Sequence, residues 1–133
     1  ADSIAVLRPQ LSPLEKAIAI YKAFSFHGRP YDFNFDFLTD SSLVCTELVY
    51  KSFEPGKQSK GLVLATSEVV GRKVTTANDI ARMFDEEFGA PGAQFELILF
   101  LDGLEKQHKA QLASVTEFRR SWRRPKWHIL VQD

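Results

Sequence analysis

The sequence predicts an α+β fold, with helices packed on a small, mainly antiparallel sheet. Polar capping pairs three residues apart open three amphipathic segments, at Ser12/Glu15, Thr76/Asp79 and Ser114/Glu117. Phe95 to Leu101 is an almost unbroken apolar run closed by Asp102-Gly103, the strongest strand signal in the chain. With 133 residues, 44% hydrophobic and 26% charged, the chain has the size and composition of one globular domain, residues 1–133.

The elements follow in order. Ile4 to Leu7 is a short apolar run ended by Arg8-Pro9, a strand. Ser12 suits a helix N-cap, Pro13 the first helical position and Glu15 the reciprocal place in the capping box. Leu14, Ala17, Ile18, Tyr21 and Phe24 recur at helical spacing and form an apolar face to turn inward; Gly28 ends the helix and Pro30 prevents its resumption. Tyr31 to Phe37 alternates rings with Asn and Asp, poor strand formers, and is expected to be an ordered loop with its rings packed inward. A helix capped between Asp40 and Ser42 then runs to about Phe53, stopped by Pro55-Gly56.

Residues 57–75 are mixed, with a short strand expected at Leu62 to Leu64. A helix from Ala77 to Phe88 ends at Gly89, and the strand Phe95 to Leu101 follows. A short helix from Ser114 through Trp122 and a last strand at Trp127 to Val131 complete the pattern.

Composition excludes several functions. The formal net charge is zero, without the basic excess of a nucleic-acid binder. No apolar stretch is long enough for a membrane span, and the first residues lack the basic region of a signal peptide. The single Cys excludes an internal disulfide and leaves the compartment open. Three His and one Cys lack ligand spacing, so no metal or other cofactor is expected.

Chemistry centres on Cys45. A helix capped just before it places the thiol in the first turn, where unpaired N–H groups and the positive end of the dipole favour a thiolate. The alternative is a small buried core residue, the commoner place for a free Cys. Gly28-Arg29-Pro30-Tyr31-Asp32-Phe33, Phe35-Asp36 and Cys45-Thr46-Glu47-Leu48-Val49-Tyr50 weigh towards the nucleophile. Together they resemble the YiiX-like branch of the NlpC superfamily, the permuted papain-like cysteine hydrolases. The strand Ala5 to Pro9 and the helix from Ser12 sit where that family has such elements, so the resemblance spans residues 2–54.

The resemblance implies a permuted papain-like core of which this chain is the C-terminal part. It implies that Cys45 is the nucleophile at the head of the active-site helix and that Tyr31 lines the site, its phenol able to donate to an oxyanion. Glu47 matches the motif's glutamate and is assigned a structural role; Asp32 and Asp36 are expected to fix the loop through side-chain to backbone bonds. The implied chemistry is a cysteine-dependent hydrolase or acyltransferase that works through a thioester on a peptide amide or lipid ester.

The base is where this chain departs from the pattern. In the family a His precedes the Cys, on strands of an N-terminal segment. Here only His27 precedes Cys45, and its place at a helix end suits a dipole interaction. His128 ranks ahead of His108 as a base within the chain, and an additional N-terminal segment is the simpler source. Two rival classes remain. One is a binding domain that keeps the fold without catalysis. The other is a peripheral membrane or lipid-headgroup module built on Arg119-Arg120-Ser121-Trp122-Arg123-Arg124-Pro125-Lys126-Trp127, whose cations would otherwise complete a solvated helix end.

Overall fold

A computed structural model describes residues 3–34, 40–69, 71–104 and 109–124. Strand β1 (Ser3–Pro9) is followed by helices α1 (Pro13–Ser25) and α2 (Cys45–Phe53). The hairpin β2 (Ser67–Val69) and β3 (Arg72–Val74) leads into α3 (Ala77–Glu87). Then come β4 (Phe95–Leu104), β5 (Lys109–Leu112) and α4 (Val115–Ser121). The fold is α+β: β1, β4 and β5 form an antiparallel sheet in the order β1-β4-β5, and β2-β3 stands apart.

The three capping pairs do what their spacing requires. Glu15 N–H donates to Ser12 Oγ and Ser12 N–H to Glu15 Oε2, and the same reciprocal bonds close the starts of α3 and α4. The long apolar run becomes β4, which passes through Asp102-Gly103 rather than ending there. β5 prolongs it: Asp102 and Gly103 pair with Gln111 and Ala110. Neither β5 nor the β2-β3 hairpin is expected from the sequence, because all three strands are short and at least half polar.

Two clusters form the core. Leu11, Leu62, Leu64 and Met83 make one, flanked by Tyr50 and Phe53 of α2. Ala81, Phe84, Phe100 and Phe118 make the other, and Phe95 packs against both. α2 therefore packs on α1 and meets the sheet through the first cluster.

Four expectations are corrected. Leu62 and Leu64 are buried and Val63 is exposed, but the segment is not a strand. Its backbone is satisfied elsewhere: Leu62 N–H donates to Phe53 O at the end of α2, and the Gln94 side chain accepts from Val63 N–H and donates to Val63 O. A side chain thus takes the place of a partner strand. The apolar face of α1 points outward: Leu14, Ala17, Tyr21 and Phe24 are exposed, and Ala19 is the buried residue. The described rings of the loop also point outward, with Phe33 82% and Tyr31 48% exposed. Finally, α2 starts at Cys45 with Val44 as its N-cap, later than Asp40 to Ser42 allow. The physical reason is a parallel bridge between Tyr31 and Leu43, which holds Leu43 extended and postpones the first turn. Asp36, His108, His128 and the strand expected at Trp127 to Val131 lie outside the described residues.

Candidate active site

The Tyr31–Leu43 bridge assembles the site. Asp32 N–H donates to Leu43 O at 3.2 Å, and Leu43 N–H donates to Pro30 O at 3.0 Å. Two segments separated by a loop are thereby pinned side by side, and the chain turns into α2 two residues beyond the bridge. Asp32 is buried, and its Oδ1 accepts from Asn34 N–H at 2.8 Å, closing a local turn that holds Tyr31 in place.

Cys45 is the first residue of α2 and is exposed, so the buried-core reading of this thiol is excluded. The N-cap Val44 has no side-chain oxygen to accept from the first turn. Glu47 supplies the other half of the cap: its Oε2 accepts from Val44 N–H at 3.3 Å.

Glu47 is fully buried, and its other oxygen lies 3.1 Å from Lys51 Nζ, one turn on. Lys51 also pairs with Asp40, and Arg29 donates to Asp40 O. Burial works against the charge on Lys51, yet its bonds to Asp40 and Glu47 outweigh that and raise its pKa. The Lys51 hydrogen bond holds the Asp40 carboxyl below its ordinary value. The network ties the approach to Cys45 onto the helix that carries it. The i,i+4 spacing of Glu47 and Lys51 is a sequence signal that identifies this pair.

Cys45 and Tyr31 line one groove of about 520 Å³. Its walls are mainly apolar, from Ile20, Ala23 and Phe24 of α1 and from Leu43, Val44 and Leu48. Tyr31 packs edge-on against Phe33 with ring centroids 4.9 Å apart. His27 and Arg29 line the same groove, a placement that follows from the turn after α1 and that sequence spacing does not reveal. Among the described residues no side chain hydrogen-bonds to the Cys45 sulfur. The arrangement offers an accessible sulfur at a helix start, a phenol on the same groove and an apolar bed for a substrate.

The basic stretch near the C-terminus has local partners. Arg119 Nε and Arg123 Nη2 pair with Asp85 at 2.8 and 3.0 Å, Trp122 Nε1 donates to Asp85 Oδ2, and Arg124 Nη1 bonds both oxygens of Asp102 at 2.7 Å. These bonds anchor α4 to α3 and β4.

A family model described as permuted papain-like amidase enzyme, YaeF/YiiX, C92 family, matches residues 1–128. No curated protein and no solved structure matches the chain.

Proposed function

The chain belongs to the permuted papain-like amidase family, and from that premise we propose that it is a cysteine hydrolase with Cys45 as nucleophile and Tyr31 as oxyanion donor. The observation that carries this reading is the exposed Cys45 at the first position of α2, on one groove with Tyr31. The thiolate attacks the acyl carbon of an amide or ester and forms a C–S bond. The carbonyl oxygen becomes an oxyanion that accepts a hydrogen bond from the Tyr31 hydroxyl. The C–N or C–O bond then breaks, and the amine or alcohol leaves with a proton from the base. Water hydrolyses the thioester, or a second acceptor takes the acyl group.

We place the base in a segment N-terminal to this sequence. Two observations support that. No described imidazole bonds to Cys45, and β1 is an edge of the sheet, paired only with β4 among the described residues. An open edge accepts a further strand by backbone pairing. His27, on the groove itself, is the base within the chain to test against this. An N-terminally extended chain should exceed the activity of residues 1–133, and His27→Ala should leave the extended chain's rate unchanged. Loss of that rate in His27→Ala would move the base to His27.

Cys45→Ser tests the reaction as a whole. Turnover of a chromogenic acyl amide or ester by the extended chain should disappear while the melting temperature stays the same. Activity equal to the parent would end the reading. A non-catalytic binding domain is the second reading, favoured by the same lack of a bonded imidazole. It requires Cys45 to react with iodoacetamide no faster than a free model thiol.

A further inference from the structure

α1 carries an apolar stripe that the fold leaves unused. At about 100° per residue, Leu14, Ala17, Ile20, Tyr21 and Phe24 fall within roughly a third of the helix circumference. All five are exposed, with Leu14 at 68%, Tyr21 at 78% and Phe24 at 72%. Exposed apolar side chains scattered singly are ordinary, but a contiguous stripe along a whole helix marks a contact surface.

Charge and position indicate what covers it. Between Ser12 and Arg29 the cations are Lys16, Lys22 and Arg29, with His27 beside them, against one carboxylate, Glu15. Glu15 is committed to the backbone N–H groups of Ser12 and Lys60. Lys16 flanks the stripe on one side, where its long stem can lie along the apolar surface and carry its charge outward; Lys22, beyond the other side, donates from Nζ to Glu54 O at 2.9 Å and adds its positive charge there. An apolar face with Ala17 and Phe24 at its centre, Tyr21 towards one border and cations beyond both borders is the layout of a helix lying in a bilayer interface. A second copy of this chain would oppose like charges across the same stripe. The stripe is also continuous with the candidate active site, because Ile20 and Phe24 line the Cys45 groove. No described helix is long and apolar enough to cross a membrane.

We propose that the outward face of α1 lies on an anionic lipid bilayer, with the Cys45 groove opening at the contact. An amphiphile then reaches the thiol from the bilayer along an apolar path. The membrane contact does not depend on the chemistry of Cys45.

Co-sedimentation with vesicles tests it, using phosphatidylcholine alone and phosphatidylcholine mixed with phosphatidylglycerol. The parent chain and Cys45→Ser should bind the mixed vesicles equally and bind phosphatidylcholine more weakly. The double variant Leu14→Asp/Tyr21→Asp should lose at least about tenfold in partitioning, with its circular-dichroism melting curve unchanged. Lys16→Glu, a surface substitution that leaves the stripe intact, should bind mixed vesicles less well and phosphatidylcholine alone as before. No binding of the parent chain to mixed vesicles at low salt would overturn the proposal. So would unchanged binding by Lys16→Glu. A parent dimer that the double variant dissociates would assign the stripe to a second copy instead.

Discussion

Tyr31, which shares the groove with Cys45, and Glu47, which caps the start of α2, have separable duties. Tyr31 is half exposed and edge-packed on Phe33, so its ring adds little to the core. Tyr31→Phe removes only the hydroxyl. We expect the melting temperature to stay within experimental error and kcat of the extended chain to fall about a hundredfold, the scale of losing one oxyanion donor. Glu47 is the opposite case, fully buried, capping Val44 N–H and paired with Lys51. Glu47→Ala leaves a donor and a half-buried ammonium with fewer partners, and urea titration should show a loss of about 2–3 kcal/mol. Restoration by Glu47→Gln should be partial, since the amide oxygen can cap Val44 but carries no charge for Lys51. Glu47 is thus tested through stability, and the proposed oxyanion role of Tyr31 through rate at unchanged stability.

At the scale of elements, the start of α2 is set by its neighbours. Asp40 and Ser42 have the chemistry of N-caps, but the bridge to Tyr31 keeps Leu43 extended and moves the helix start to the thiol. The other end of α2 is held by Gly61. That residue has φ of +58°, and a Cβ there would sit 2.4 Å from Phe53 O and 2.6 Å from Pro55 N, both backbone atoms. The clash cannot be relieved by a side-chain rotation. Gly61→Ala should therefore cost more than about 2 kcal/mol in chemical denaturation, from left-handed strain plus displaced backbone. The loss should come with exposure of Leu62 and Leu64, which follow Gly61 into the first core cluster.

For the whole molecule, acid stability depends on carboxylates that tie one element to another. Asp85 of α3 receives bonds from Arg119, Trp122 and Arg123. Burial raises its pKa, but these partners outweigh that and hold it below the ordinary value of 3.8. Asp79 is lowered in the same way, with burial overcome by Thr76, Ser67 and Arg82. As pH falls, the unfolded chain takes up these protons first. The stabilisation is thus complete above the ordinary value and is lost as pH drops through the lower native values. The melting temperature should fall steeply below pH 3.8. In Asp85→Asn it should be lower at neutral pH and fall less steeply in acid. Equal slopes in variant and parent would remove Asp85 from the account.

The sequence by itself determined the α+β class, the three capped helix starts, strand β4 and the segment Pro30 to Tyr50 that carries Cys45 and Tyr31. Each depends on local chemistry: a side-chain oxygen accepting a nearby N–H, an apolar run, or a motif of adjacent residues. The tertiary structure alone decided which way α1 faces. Its apolar periodicity is real, but periodicity says only that one face differs; α1 packs on α2, and the face it buries carries Ala19. The register of Leu43 on Tyr31, the side-chain pairing of Gln94 with Val63 and the meeting of His27 with Cys45 on one groove were likewise settled only on folding. They join residues far apart in the chain, and the choice among such pairings is made by competition for burial and for hydrogen-bond partners.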